Sequence, residues 1–188
     1  MGDRLFGALQ GALAALDSVG SDYALIGGFA AAIRGRLRFT QDLDLLVLSL
    51  VENSPRFVVA FRDQGFAHMD RADRHRLDEV DLLRFWLPQD TTMTSIGVDI
   101  QLPRVAHLEG IVKRATVEDY QGLKLRVATR DDLILLKIGA WRPIDRADAI
   151  ELAAISPASV DWKHLEKEAR QRGWSDRFEE VRQSVNWA

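Results

Sequence analysis

GGFAAAIRGRLRFTQDLDLLV, running from Gly27 to Val47, closes one apolar run with a glycine pair and opens the next with Asp42-Leu43-Asp44. Side chains on a strand alternate with period two, so both carboxylates leave one face while Leu43 and Leu45 turn to the core. Two like charges held together raise each other's pKa unless a cation or hydrogen-bond donors compensate. Hard, oxygen-preferring Mg²⁺ is a natural compensation, taking one or two carboxylates and filling its other positions with water and substrate phosphates. Upstream, Tyr23-Ala24-Leu25-Ile26 reads as a buried strand. Gly27 and Gly28 then allow a sharp turn that brings main-chain N–H groups and a helix start close to an anion.

The glycine pair, a short helix and then Arg38-x-Thr40-x-Asp42-x-Asp44 resemble the DNA polymerase beta-type nucleotidyltransferase superfamily, and within it the AbiEii-type toxin nucleotidyltransferases and their relatives. The resemblance implies a third carboxylate on a later strand. Val98-Asp99-Ile100-Gln101-Leu102, between Gly97 and Pro103, supplies it, with Ile100 and Leu102 on the face opposite Asp99. By the same resemblance Asp42 and Asp44 hold two Mg²⁺ ions, and Asp99 binds one and takes the proton from an attacking hydroxyl. Gly27, Gly28, Arg38, Thr40 and Lys137 are then the nucleotide-binding residues. Phosphoryl-type transfer is mostly positioning and charge neutralisation, so three carboxylates and a phosphate cradle are nearly a full inventory. The chain departs from the pattern in two places. Arg34-Gly35 stands where relatives often carry a histidine before the glycine, and Gly27-Gly28 stands where many have Gly-Ser, which leaves the cradle to backbone donors.

A second segment, Val127 to Asp148, also matches the AbiEii-type pattern: a capped helix with a lysine, continuing as Arg142-x-x-Asp145-x-x-Asp148. Thr129 with Asp132 approximates a capping box, and Pro143 should break the helix. Lys137 lies towards the far end of that helix, where its stem can rest on the core while its ammonium reaches a triphosphate. The same residues equally read as a structural ion-pair network of Lys137, Arg142, Asp145 and Asp148 between two helices. Arg38 is expected to orient the carboxylates or bind phosphate. Arg34 and Arg36 are expected to be exposed loop cations.

With 188 residues, 47% of them hydrophobic, the chain can bury one substantial core. It has no cysteine, which excludes disulfides and thiolate metal sites and is compatible with a cytoplasmic setting. Phe6, Leu9, Leu13 and Leu16 mark an amphipathic helix rather than a signal peptide, and no stretch reads as a membrane span. A net charge of −3 gives no general attraction to nucleic acid, so an RNA site would have to be a local arginine patch. The expected elements are helices over 4–17, 29–34 and 56–64 and strands over 23–26, 42–48, 82–87, 98–102 and 123–127. Helices follow over 131–141, 145–154, 161–172 and 175–185. This is an α/β fold with a nucleotidyltransferase-type mixed sheet flanked by helices. Residues 1–128 form the α/β part with the three aspartates, and residues 129–188 form a helical C-terminal subdomain.

His68 to Arg76 mixes histidines with charges of both signs and reads as a solvated loop or a specificity loop rather than a second metal site. Trp162, Trp174 and Trp187 read as helix-packing residues. Neither a Walker A loop nor a G-x-G-x-x-G fingerprint is present. The expected reaction moves an NMP group from an NTP to an unidentified acceptor. By the toxin resemblance that acceptor is a tRNA end or a protein, with a possible antitoxin partner. One alternative is an antibiotic nucleotidyltransferase of aminoglycoside or lincosamide type, with a small-molecule acceptor. A third reading is a non-catalytic module of a toxin–antitoxin pair that keeps the fold without turnover. An aminoglycoside pocket should draw acidic residues from the tail, whereas an RNA acceptor would need a basic groove.

Overall fold

The computed structural model describes residues 2–36, 40, 42–68, 75–76, 79–88 and 95–185. Apolar residues at three- and four-residue spacing build α1 (Gly2–Val19), which buries Ala8, Leu9, Ala12, Ala15 and Leu16. Its buried stripe is richer in alanine than the Phe6, Leu9, Leu13, Leu16 reading, since Leu13 is only partly buried. β1 (Tyr23–Ile26) leads directly into α2 (Gly27–Ile33), so the helix begins at the first glycine rather than at Phe29. β2 (Asp42–Val47) follows, then α3 (Ser54–Asp63) with Pro55 in its first turn, as the proline predicted. Two short strands, β3 (Ala67–His68) and β4 (His75–Arg76), precede the long strands β5 (Val80–Leu87) and β6 (Ile96–Pro103).

Besides the two-residue strands β3 and β4, two longer elements went unread in the sequence. α4 (Ala106–Arg114) buries Leu108, Ile111 and Val112 on one face, a helical spacing made inconspicuous by its shortness and by Gly110. β7 (Thr116–Tyr120) forms a hairpin with β8 (Leu123–Val127). The two-residue turn between them has Gln121 at φ 53° and Gly122 at φ 84°, the left-handed pair that matches strand twist. Glutamine at the first of those positions hid the turn.

The strands form one mixed sheet in the order β3-β5-β6-β2-β1-β8-β7, with β4 also paired to β5. β2 runs parallel to β6 and β1 parallel to β8, while β1–β2, β5–β6 and β7–β8 are antiparallel. The inward residues of the central strands, Leu43, Leu45, Val98 and Ile100, are fully buried. They belong to one continuous apolar cluster that runs from Ala8 to Val185 and takes in Leu133, Leu152, Leu165 and Phe178 of the C-terminal helices. The C-terminal helices, within residues 130–185, therefore share the core of the sheet.

The remaining helices are α5 (Arg130–Ala140), α6 (Pro143–Ile155), α7 (Trp162–Gln171) and α8 (Ser175–Val185). Thr129 caps α5 by accepting from the Asp132 backbone N–H at 3.1 Å, while its hydroxyl donates to the Asp132 carboxylate at 2.7 Å. That carboxylate, buried, also takes the Arg114 guanidinium at 2.6 Å and so ties the end of α4 to the start of α5. Trp141 closes α5 in the left-handed conformation at φ 51°, and Pro143 opens α6. Trp162 packs edge-on against Phe178 and Trp174 lies against the core, as helix-packing residues would; Trp187 lies outside the described residues.

At the α5–α6 corner the ion-pair reading of Lys137 holds. Its ammonium lies 2.8 Å from Asp145 and 2.9 Å from Asp148. Arg142 adds two contacts to Asp145, and Arg36, beyond α2, pairs with Asp148 at 2.7 Å. Lys137, Asp145 and Asp148 are all buried. Burial pushes the Asp145 carboxyl up, but hydrogen bonds from Arg142 and Lys137 outweigh it and hold the group below the usual carboxylate range. Removing one member of such a network leaves buried charge uncompensated. Lys137→Met is expected to cost about 3–5 kcal/mol of unfolding free energy in urea at pH 7. A cost under about 1 kcal/mol would mean that water or another cation reaches the two aspartates.

Candidate functional site

β2 and β6 lie side by side in parallel register with Asp42 opposite Gly97 and Asp44 opposite Asp99. Residues opposite one another on neighbouring strands share a face, so Asp44 and Asp99 emerge together, and Asp42 emerges two positions along on the same side. Across the other edge of β2, Asp44 pairs with Ile26, which puts Gly27 next to its carboxylate. The sheet thus brings together the three aspartates and the first glycine of the decisive stretch.

Both glycines flanking this cluster are cut to the shape of a carboxylate. A Cβ on Gly27 would stand 1.9 Å from Asp44 Oδ2, and Gly27 also holds φ +69°, a conformation disfavoured for other residues. A Cβ on Gly97 would meet Asp42 Oδ1 at 2.5 Å. Gly28 is buried in the first turn of α2.

The electrostatics follow from crowding. The Asp44 carboxyl is pushed up to about 6, first by burial and then by the negative charge of Asp99, with a smaller push from Asp42; Lys137 and Arg142 pull it back only in part. The Lys137 ammonium contributes its field to Asp44 while its contacts are with Asp145 and Asp148. Arg142 is well exposed and also influences Asp44, although its hydrogen bonds go to Asp145.

Thr40 donates its hydroxyl to the Asp42 carbonyl at 3.2 Å and steadies the start of β2. Arg38 lies outside the described residues, as does residues 69–74, most of the segment read as a loop. Arg34 and Arg36 are not the exposed loop cations expected. Arg34 is a bonding hub: it donates to the Ala128 carbonyl at 2.9 Å, the Val127 carbonyl at 3.0 Å, Thr116 at 2.7 Å and Glu118 at 2.6 Å. It clamps α2 to the β7–β8 hairpin. Arg36 reaches Asp148 and Glu151 on α6. Both positions follow a helix end, and only the fold reveals that other elements close over them.

One site residue was missed altogether. Arg84, on β5, stands opposite Asp99 and donates to both of its oxygens at 2.6 Å in a two-pronged pair. An arginine in the middle of Leu82-Leu83-Arg84-Phe85-Trp86 is a visible signal, but its partner depends on the antiparallel register.

Asp42 and Asp44 supply the hard oxygen donors that a divalent cation prefers, in a place where negative charge is under-compensated, so their chemistry fits such an ion. Asp99 is in a different position, since Arg84 engages both its oxygens. Among the described residues no three His, Asp or Glu side chains converge as a ligand set.

No protein-family model matches the chain, and no curated protein sequence matches it. Solved structures do match. The solution structure of the antibiotic-resistance factor ANT(2'')-Ia is 16% identical, with a TM-score of 0.53 over 99% of this chain and 93% of that one. A crystal structure of an antigenic nucleotidyltransferase-like protein from Paracoccidioides brasiliensis is 16% identical, with a TM-score of 0.54 over 92% of each chain. The lincosamide antibiotic adenylyltransferase LnuA, with lincomycin bound, is 15% identical, with a TM-score of 0.51 over 81% of this chain and 96% of that one. At these identities the likeness is one of architecture, and the architecture of this chain is the nucleotidyltransferase fold.

Proposed function

We propose that this protein is a nucleotidyltransferase that moves an NMP group from an NTP to a hydroxyl or phosphate oxygen of an acceptor. The observation that carries the reading is the register that sets Asp44 beside Asp99, with Asp42 on the same face, on a fold shared with nucleotidyltransferases. An acceptor oxygen attacks the α-phosphorus, the bond to the bridging oxygen of the β-phosphate breaks, and pyrophosphate leaves. Two Mg²⁺ ions at the carboxylates would neutralise charge on the entering and leaving oxygens. Asp42 and Asp44 are the residues that would hold them, and Asp99, once its oxygens are released, would bind one of the ions and take the acceptor proton. Gly27 and Gly28 offer backbone to the phosphates. Thr40 steadies the start of β2, and Arg38 is assigned to the nucleotide with Lys137, whose positive field already reaches the cluster.

The acceptor is proposed to be toxin-like, a tRNA end or a protein, with a possible antitoxin partner. One observation favours this over an aminoglycoside. Asp145 and Asp148, the tail acids that hold Lys137, are neutralised by Lys137, Arg142 and Arg36 and do not offer free carboxylates to a polycationic drug. No helix among the described residues is long and apolar enough to cross a membrane.

Nucleotide binding is the direct test. Calorimetry with Mg²⁺ and each NTP should give a complex that Asp42→Asn and Asp44→Asn abolish, and Asp99→Asn should stop label transfer to RNA or protein while leaving the fold intact. A wild-type protein that binds no NTP, or an Asp44→Asn variant that binds as well as wild type, would sink the enzyme reading in favour of a non-catalytic module.

A site held against its own repulsion also has a stability signature. Burial and the Asp99 charge push the Asp44 carboxyl up to about 6 in the folded protein, above its ordinary carboxylate range, so the folded state keeps this proton to higher pH than the unfolded chain. Its contribution is most favourable below about pH 4 and is lost as the pH rises through 6. Without divalent cation at pH 7.5, Asp44→Asn is therefore expected to stabilise the protein by roughly 1–3 kcal/mol. The gain should shrink as the pH falls from 6 towards 4. A destabilised variant at pH 7.5 would show that Asp44 is better compensated than its neighbours suggest.

A further inference from the structure

Arg84 reaches across from β5 and closes on Asp99 with Nε at 2.6 Å from one oxygen and Nη2 at 2.6 Å from the other. The Asp99 side chain is only 12% exposed, whereas that of Arg84 is 62% exposed. The carboxylate is fixed in the sheet face and the guanidinium sits over it from the solvent side, on a long arm able to leave. The cluster's other nearby cations, Lys137 and Arg142, have their contacts on Asp145. Arg84 is thus the cation in direct contact with the three-aspartate cluster among the described residues, and it occupies both oxygens of one member.

We propose that Arg84 is a positioning residue that acts as a latch on Asp99, standing in for a divalent cation until substrate draws it away. This rests on the reading of Asp42, Asp44 and Asp99 as the nucleotidyl-transfer site. Two consequences follow from the geometry. A cation that uses Asp99 has to displace a two-pronged, charge-assisted pair, so its affinity in the absence of nucleotide is held down. A triphosphate arriving at the same face offers the released guanidinium a pair of anionic oxygens for the same two-pronged contact, so nucleotide and metal bind cooperatively. The protein alone then keeps its third carboxylate covered, and the carboxylate is freed when the triphosphate is present. No bond is made or broken in the exchange; one ion pair replaces another.

Manganese binding, followed by electron paramagnetic resonance of the free ion and by calorimetry, tests the latch without any turnover. Arg84→Met should bind Mn²⁺ about tenfold more tightly than wild type without nucleotide, the scale of one charge-assisted contact removed. A non-hydrolysable NTP analogue should tighten Mn²⁺ binding in wild type and do so much less in Arg84→Met. Arg84→Gln, which keeps hydrogen bonding without charge, provides a second variant if Arg84→Met folds poorly, and it should shift Mn²⁺ affinity in the same direction. Asp44→Asn introduced into either background should remove the binding and so assign it to this cluster. Equal Mn²⁺ affinity in wild type and both variants, with Asp44→Asn still abolishing it, would overturn the latch and leave the transfer site standing. Weaker binding in Arg84→Met and Arg84→Gln would overturn it too, by making the guanidinium a support for the cation. Absence of Mn²⁺ binding from wild type and variants, with and without nucleotide, would overturn both the latch and the site it serves.

Discussion

Repulsion among Asp42, Asp44 and Asp99 is the constraint around which the polar half of this molecule is arranged. Parallel pairing of β2 with β6 forces the three carboxylates onto one face, and no rotamer choice can disperse them. Containment comes from three sides. Arg84 caps Asp99 from β5, the field of Lys137 reaches Asp44 from α5, and Arg142 adds to it from the α5–α6 corner. Burial first, and then the negative charge of Asp99, push the Asp44 carboxyl up against these cations.

The C-terminal helices contribute more than bulk to this arrangement. Lys137 can project its charge towards the cluster because Asp145 and Asp148 hold it in place, and those two acids are in turn paired with Lys137, Arg142 and Arg36. Arg36 lies just beyond the helix that starts at the glycine pair, so the network joins both motif segments of the chain. The shared apolar core beneath has the same effect, since Leu133 and Ile134 of α5 pack in the cluster that contains Leu43 and Leu45. Site and tail are therefore one mechanical unit.

Much of this was legible in the sequence because it rested on local pattern. Tyr23–Ile26 and Leu123–Val127 are strands with the bounds expected, and Asp42-Leu43-Asp44 alternates as a strand must, with Leu43 buried and Asp42 exposed. Pro55 and Thr129 marked helix starts, and Pro143 marked a helix break, because each acts on its own backbone. What escaped depends on pairing. Nothing near Arg84 in sequence identifies Asp99 as its partner, because the partner is set by the register of β5 on β6. Arg34 and Arg36 looked like solvent-facing loop residues because the hairpin and α6 that cover them are 82 or more positions away. The motif Lys137…Arg142…Asp145…Asp148 was visible as a set of charges, and only the helix corner at Trp141 resolved it into a closed network.

Gly27 and Gly97 matter through an atom that each of them lacks. Each is matched to one carboxylate, Gly27 to Asp44 and Gly97 to Asp42, and each match is steric, decided by the space a single methyl group would take. Glycine and aspartate at these positions should therefore behave as linked pairs over evolutionary time. A lineage that abandons the aspartate loses the reason to keep Gly97 bare, while Gly27 remains constrained by its left-handed backbone as well. The two glycines are therefore constrained unequally: the β6 glycine answers to one neighbouring side chain, and the turn glycine to a side chain and to its own backbone.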